Sequence, residues 1–303
     1  MARVAICVTS YNRPHLVADC IASVREQDTD EWTLYILDDG SNRETIEAIN
    51  RACGSPEWWP FVAHGGMAYA AENRRFVWWQ GYERSRADRA KTVSYSRNLN
   101  LALNFLVQEP YICYLVDDDF FYPEAIRPRV EYLEAHPEVH VITGRQRSLQ
   151  YGQDGFNTWS SSAAPQSGRL YPRPTGRRVL MHGGCAAKTY FADPDERDPQ
   201  TGLPFVEEAT WTEGWSTYGA PCRHDHNSVL HRRECLTTCR TWPDGAALGG
   251  KMFWGEPRHM EPGDAAFFTL LGQAHQFYGL NTWVASKRYH AFSTGVVTGE
   301  VRE

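Results

Sequence analysis

Residues 113–123 read CYLVDDDFFYP, a short apolar run that passes directly into three adjacent carboxylates. Three like charges at the end of a buried segment repel one another, and removing them from water costs free energy. A hard divalent cation that binds carboxylates at such a strand end would offset this cost. The alternative is a solvated acidic turn that caps a helix after Pro123, although capping needs one carboxylate and not three.

The flanking sequence alternates between short apolar runs and segments of helical period. The apolar runs, which predict strands, are 3–9, 32–37, 61–64, 111–116 and 139–143. The predicted helices are 14–27, 43–53, 95–107 and 123–135. This alternation predicts an α/β fold with a mostly parallel, Rossmann-like sheet that is flanked by helices on both faces.

Polar clusters follow three of the predicted strands, at Thr9–Asn12, Asp38–Ser41 and Asp117–Asp119. Because ligands bind at the carboxyl ends of strands in such sheets, we expect these clusters to meet at one site. Carboxylates at the second cluster can accept hydrogen bonds from a ribose hydroxyl or a base N–H. A tight turn that caps the next helix explains the same residues, so both interpretations stay open.

Composition and charge exclude several classes of protein. The net charge of −6 over 303 residues gives no global attraction to nucleic acid or to an anionic membrane. No apolar run approaches the roughly 20 residues of a membrane-spanning helix, and Val4–Val8 is too short for the core of a signal peptide. The eight cysteines do not resemble a disulfide framework. These features predict a cytoplasmic protein.

Four motifs, in order and spacing, resemble those of the family-two glycosyltransferases of the GT-A fold. They are VTSYNRP at 8–14, ILDDGS at 36–41, SRNLNLAL at 96–103 and LVDDDFFYP at 115–123. The resemblance extends over residues 3–144. In the second half, HGGCAAKTYF at 182–191 resembles the glycine-rich acceptor-side segment of the family. EPGDAAFFTLLG at 261–272 resembles its late acidic helix start, with Gly263 in place of one acid.

The resemblance implies an enzyme that uses a nucleotide-diphosphate sugar, a UDP-sugar being favoured, together with Mn²⁺ or Mg²⁺. Within it, Thr9, Tyr11 and Asp39 would contact the nucleoside. The full implied set of nucleotide-sugar contacts is Thr9, Tyr11, Asn12, Arg13, Asp38, Asp39, Arg97, Asp117 and Asp118. Asp119 would bind the metal, with Asp117 and His290 as further ligands, whereas the role of Asp118 is ambiguous.

Asp264 is the residue that the resemblance implies as general base. It would deprotonate the acceptor hydroxyl for in-line attack at the anomeric carbon, with inversion of configuration. Because Asp264 follows Pro-Gly and precedes an apolar helix predicted at 264–278, it also fits an N-cap. Glu261 and Glu213 are further candidates for the base. Toward the C-terminus, Lys287 and Arg288 are alternatives to His290 as diphosphate partners, and His290 also fits a partly exposed histidine.

The chain divides on this reading into a nucleotide-sugar half, 1–145, and an elaborated acceptor-binding and catalytic half, 146–303, of one GT-A domain. Beyond 264–278, the second half has a predicted strand at 282–286 and a strand, turn and short helix across 178–191. Two alternatives remain. One is a catalytically degenerate GT-A protein that binds glycan or nucleic acid. The other is a nucleotidyltransferase, which needs an early glycine-rich loop that VTSYNRP lacks.

Two segments have no counterpart in the motifs. Residues 66–93 interleave basic with aromatic side chains, which is typical of an exposed amphipathic helix, of an acceptor lid or of a platform for single-stranded nucleic acid. Residues 222–239 contain six soft ligands that could hold a structural Zn²⁺ ion, although the spacing matches no common zinc finger. These ligands are Cys222, His224, His226, His231, Cys235 and Cys239.

Overall fold

The computed structural model describes thirteen stretches of the chain. They are 4–63, 66–72, 75–81, 94–150, 170–172, 178–181, 189–197, 204–208, 214–216, 226–237, 267–268, 271–272 and 274–289. The chain forms two compact units, of which the first comprises 1–145 with 212–285 and the second 146–211 with 286–303. The predicted division of roles between residues 1–145 and 146–303 stays a prediction.

Strands and helices are numbered in chain order. The strands are β1 (Val4–Ser10), β2 (Trp32–Asp38), β3 (Trp59–Ala63), β4 (Gly66–Ala71), β5 (Phe76–Gln80), β6 (Tyr111–Val116), β7 (Phe120–Phe121), β8 (Val141–Gln150), β9 (Leu170–Pro172), β10 (Arg178–Met181), β11 (Thr189–Arg197), β12 (Pro204–Glu208), β13 (Gly214–Ser216), β14 (Val229–Arg232) and β15 (Phe277–Tyr289). The helices are α1 (Pro14–Arg25), α2 (Arg43–Ala52), α3 (Ser94–Leu101) and α4 (Arg127–Ala135), and a π-helical turn (Ala102–Leu106) follows α3.

The sheet of the first unit has the strand order β3-β4-β5-β2-β1-β6-β14-β8. The strands β5, β2, β1 and β6 are parallel, which confirms the predicted parallel core of an α/β fold. The remaining pairs are antiparallel, at β3 with β4, β4 with β5, and β14 with both β6 and β8. In the second unit, β9 to β12 pair antiparallel in succession, and β12 pairs with residues 147–149 of β8.

Apolar side chains cover both faces of the parallel strands. One face packs Ile6 and Leu34 with Ile21 of α1, and the other packs Tyr35 with Leu99 of α3 and Phe267. The first helix starts as predicted, with a proline in its first turn. The second starts at an asparagine N-cap, Asn42, whose side chain accepts a hydrogen bond from the backbone N–H of Thr45 at 3.0 Å.

Two predicted elements of the first half are wrong in part. The helix expected from residue 123 begins at Arg127, because β7 pairs with β15 and a turn occupies the residues between. In 66–93, residues 66–71 and 76–80 form strands and not an amphipathic helix. Phe76, Trp78 and Trp79 are buried there, so these rings cannot stack on single-stranded nucleic acid. Residues 82–93 lie outside the described residues.

In the second half, β10 matches the strand predicted at the start of 178–191, but residues 189–191 belong to a strand where a helix was expected. The helical positions 267–268 and 271–272 agree with the predicted late helix. The predicted strand 282–286 lies within the longer β15, and β14 was not predicted. Among the described residues, no helix is long and apolar enough to cross a membrane.

A buried histidine links β14 to β6. His231 is fully buried, and its Nε2 lies 2.8 Å from the hydroxyl of Tyr114. Its Nδ1 lies 2.8 Å from the carbonyl oxygen of Arg232, so we assign the ring proton to Nδ1, which donates to this carbonyl, whereas Nε2 accepts a hydrogen bond from the Tyr114 hydroxyl. Burial lowers the pKa of His231 to about 4.

We predict that this histidine makes the free energy of unfolding depend on pH between about 4 and 6.5. In that window the unfolded chain takes up a proton that the folded chain excludes, so stability falls as the pH falls. The contribution of His231 amounts to about 3 kcal/mol. Urea denaturation of the wild type and of His231→Gln at several pH values measures this contribution. Titratable groups that both proteins share cancel when the two free energies of unfolding are subtracted. Equal pH dependence in the two proteins would contradict the assignment.

Candidate functional site

The three polar clusters meet at the carboxyl edge of the central strands. The strand β1 lies between β2 and β6, and Thr9 is in register with Leu37 and Val116. Backbone hydrogen bonds then join the loops, from Asp117 N to Thr9 O at 3.2 Å and from Asp39 N to Ser10 O at 3.0 Å. The predicted convergence is therefore present in the structure.

Asp117 is bound from two directions by the loop that follows β1. One carboxylate oxygen accepts a hydrogen bond from the backbone N–H of Tyr11 at 3.0 Å, and the other accepts from Arg13 Nη1 at 2.7 Å. The same Nη1 lies 2.9 Å from a carboxylate oxygen of Asp118. Arg13 thus offsets part of the charge of the acidic run, a pairing that the sequence did not reveal.

The pKa values of this cluster follow from burial and from the ion pair. Asp117 is only 1% exposed, and burial raises its pKa above the ordinary value although the attraction of Arg13 lowers it. Burial lowers the pKa of Arg13, but the charges of Asp117 and Asp118 outweigh burial and hold that pKa above its ordinary value. The guanidinium is therefore a permanent positive charge at this edge.

Asp119 is bound by a different segment of the chain, the turn before β14. It is 1% exposed, and one of its carboxylate oxygens accepts a short hydrogen bond from Nδ2 of Asn227. Asn227 is fully buried and belongs to a 3₁₀ turn (His226–Ser228) that leads into β14. Sequence reasoning missed Asn227, because it lies among the histidines and cysteines of 222–239. The apolar residues Val229 and Leu230, which follow Ser228, could have indicated a strand there.

Side-chain hydrogen bonds hold the loop after β2 and join it to the loop after β1. Both carboxylate oxygens of the fully buried Asp38 lie 3.2 Å from the backbone N–H of Ser41. The Ser41 hydroxyl accepts a hydrogen bond from Asn12 N at 3.0 Å, and Asn12 Oδ1 accepts from Asn42 N at 2.7 Å. Asn12 and Gly40 have left-handed backbones, with φ of 49° and 75°. Asp38 therefore shapes the turn and Asn12 joins it to the loop after β1, whereas the cap of the following helix is Asn42.

The carboxyl end of β5 packs closely against this loop. A Cβ atom at Gly81 would lie 2.8 Å from the carbonyl oxygen of Asp38, so glycine is the residue that fits. A cavity of about 430 Å³ lies beside the contact, lined by residues 40–43, Ile46, Gln80 and Gly81. Near it, Asp39 is 7% exposed, whereas Tyr11 is 38% exposed. Arg97 is exposed on α3.

The acidic run suits a divalent cation in its chemistry. Carboxylate oxygens are hard ligands, and the Arg13 guanidinium already occupies a position where positive charge is stabilised. Cations of the Mg²⁺ type bind through one or two carboxylates together with substrate phosphates. In the part of the chain that the structure describes, no group of three or more His, Cys, Asp or Glu side chains is arranged to hold a metal. Asp264 and His290 lie outside that part.

The run that predicted zinc is engaged in other contacts where it is described. Both ring nitrogens of His231 have partners, Tyr114 and the backbone of Arg232. The buried Cys235 Sγ lies 3.7 Å from the carbonyl oxygen of His140. Residues 222, 224 and 239 and the side chain of His226 lie outside the described set.

We predict that Arg13→Met lowers the free energy of unfolding by about 2 to 3 kcal/mol at pH 7.5, because it leaves Asp117 and Asp118 without their cation. Arg43→Met is the matched control. The Arg43 side chain is 90% exposed in its ion pair with Glu47, so its loss should change stability by less than about 0.5 kcal/mol. Urea denaturation measures both. If the two variants lose equal stability, Arg13 is not the counter-ion of the acidic run.

Comparison with known proteins finds a family match and a curated relative. Residues 5–62 match the profile of Glycosyl transferase family 2. Protein CgeD of Bacillus subtilis (strain 168) is 31% identical over 153 residues, which are 50% of this chain and 31% of CgeD. The chain therefore spans about a third of the length of this relative.

Solved structures share the fold at low sequence identity. Residues 1–349 of S. aureus TarS in complex with UDP-GlcNAc match with a TM-score of 0.54 and 10% identity, covering 95% of this chain and 59% of that one. The complex of the same protein with UDP has a TM-score of 0.52, again at 10% identity, covering 95% and 60%. Residues 5–62 are therefore similar to glycosyl transferase family 2, and the fold of the chain is the GT-A fold of these solved structures.

Proposed function

We propose that the protein is a metal-dependent glycosyltransferase that moves a sugar from a nucleotide-diphosphate donor to an acceptor hydroxyl. The observation that carries this proposal is the convergence of Tyr11, Asp39 and the Asp117–Asp119 run at one sheet edge, with Arg13 bound among the carboxylates. A phosphorylated sugar donor needs both polar groups for the nucleoside and positive charge for the diphosphate, and this edge offers both.

The nucleoside would lie against the loops that follow β1 and β2. We assign Tyr11 to stacking on the base, because it is an aromatic residue that is 38% exposed at this edge. Thr9 and Asp39 would accept hydrogen bonds from the nucleoside, and Arg97 would lie near the ribose or the diphosphate. S. aureus TarS, which shares the fold, binds UDP-GlcNAc, so a UDP-sugar is the first donor to test.

The acidic run would hold the cation through Asp119, with Asp117 and His290 as further candidate ligands. Asp117 has both oxygens in hydrogen bonds to the loop after β1, which favours Asp119 as the direct ligand. When bound, Mn²⁺ or Mg²⁺ would neutralise the charge that develops on the leaving diphosphate. Arg13 adds a fixed positive charge at the same edge.

Sugar transfer then needs one proton acceptor. The hydroxyl oxygen of the molecule that receives the sugar would attack the anomeric carbon, while the bond from that carbon to the diphosphate oxygen breaks. Asp264 would take the proton of this hydroxyl. Attack opposite to the leaving group inverts the configuration of the sugar.

Substitution of Asp119 by alanine would delete the proposed direct ligand of the cation. We expect Asp119→Ala to lose the Mn²⁺-dependent part of UDP-sugar binding, while far-UV circular dichroism stays that of the wild type. Isothermal titration with UDP-GlcNAc, in Mn²⁺ and in EDTA, measures this loss. Asp30→Ala is the matched control, because the Asp30 side chain is 89% exposed away from the acidic run. Unchanged Mn²⁺ dependence in Asp119→Ala would remove this residue from the metal site.

A substitution at Asp264 separates catalysis from donor binding. Asp264→Asn should lower kcat by about a hundredfold or more, because general-base catalysis contributes at least that factor. Donor affinity should stay within twofold of the wild type, since the residue would act on the acceptor. The rate of UDP release, measured during donor hydrolysis or sugar transfer, gives kcat. If Asp264→Asn turns over at the wild-type rate, Asp264 is a helix cap and not the base.

A further inference from the structure

The turn His226–Ser228 lies beside the acidic run because of strand pairing. It leads into β14, which pairs antiparallel with β6 through Leu230 opposite Cys113. Residues that precede β14 therefore lie next to the carboxyl end of β6. The acidic run begins at that same end, so a side chain of the turn can reach it.

Asn227 makes this contact in the buried interior. Asn227 is fully buried and Asp119 is 1% exposed, and the amide Nδ2 donates to one carboxylate oxygen of Asp119. A hydrogen bond between a neutral donor and a charged acceptor is strong in a low-dielectric setting, and it restricts rotation of the carboxylate. The bond thus fixes the orientation in which Asp119 would present itself to a cation.

A buried arginine fixes the turn in its place. Arg129 of α4 is fully buried, and its Nη1 donates to the carbonyl oxygen of Ser228 at 3.1 Å, while its Nε donates to that of Ala125 at 2.5 Å. Burial lowers the pKa of Arg129 to about 10, so it stays charged near neutral pH. Burying a guanidinium costs more free energy than burying an apolar side chain, which suggests a task beyond packing.

We propose that Asn227 is a positioning residue that orients the Asp119 carboxylate, and that Arg129 acts on Asp119 through the turn that carries Asn227. The proposal rests on the proposed function, because the orientation of Asp119 matters for cation binding. Partners that hydrogen-bond a metal ligand from outside the coordination sphere set the affinity for the metal. Asn227 would be such a partner.

Asn227→Ala tests the proposal through metal affinity. We expect the dissociation constant of Mn²⁺, measured by titration in the presence of UDP, to rise about tenfold or more. Affinity for UDP in EDTA should change less than twofold, because Asn227 is not assigned a nucleotide contact. Asn104→Ala is the matched control, since its side-chain amide also donates a hydrogen bond, to the carbonyl oxygen of Asn100 at 2.7 Å. A wild-type Mn²⁺ affinity in Asn227→Ala would overturn the proposal.

Asn227→Asp gives a second readout that survives if the alanine variant does not fold. It keeps the shape of the side chain but replaces the donor by a carboxylate beside Asp119. We expect a lower melting temperature than that of the wild type in EDTA, and a larger rise on addition of Mn²⁺, because the cation relieves the new repulsion. A residue with a merely structural role would not increase the response to Mn²⁺. If Asn227→Asp has the same melting temperature as the wild type in EDTA, the proposed action of Asn227 on Asp119 is wrong.

Measurements on the wild-type protein distinguish a failure of the proposed metal dependence from a failure of the positioning role of Asn227. If wild-type protein binds UDP equally well in Mn²⁺ and in EDTA, the metal dependence in the proposed function is wrong. The melting temperature of Asn227→Asp in EDTA then still decides whether Asn227 acts on Asp119, since that measurement requires no cation. If wild-type binding depends on Mn²⁺ and Asn227→Ala leaves that dependence unchanged, the positioning role alone fails.

Discussion

The ion pairs of Arg13 with Asp117 and Asp118 are the interaction on which the functional edge depends. Three carboxylates at a buried strand end are unstable without positive charge nearby, and the guanidinium supplies it at 2.7 and 2.9 Å. The same contact ties the loop after β1 to the loop after β6, and Tyr11 adds a backbone hydrogen bond to Asp117. The edge is therefore organised before any ligand binds.

The acidic run is held from two sides by residues of different character. Arg13 binds its first two members with a permanent charge, whereas the neutral amide of Asn227 binds its last member, Asp119. A neutral donor leaves the net negative charge of Asp119 in place, which is what a cation requires. Asp118 pairs with Arg13, whereas its predicted contact with the nucleotide-sugar stays a prediction.

The sequence predicted the fold and the meeting of three loops, because short apolar runs and helical periods report local structure. It could not predict the partners of Arg13 or Asn227, since each contact joins residues more than a hundred positions apart. Aromatic residues among basic ones disguised the strands at 66–71 and 76–80, where Trp78 and Trp79 are buried. The strand β14 escaped prediction because its two apolar residues, Val229 and Leu230, lie among the histidines and cysteines of 222–239.

The proposed function depends above all on Asp119 as the direct ligand of a divalent cation at the carboxyl edge of the sheet. Anomalous diffraction at the manganese edge, from crystals grown with UDP-GlcNAc and MnCl₂, tests it most directly. We predict a manganese peak about 2.1 to 2.6 Å from a carboxylate oxygen of Asp119, between that oxygen and the diphosphate. Nucleotide bound at this edge with no manganese peak, or with the peak remote from Asp119, would contradict the account.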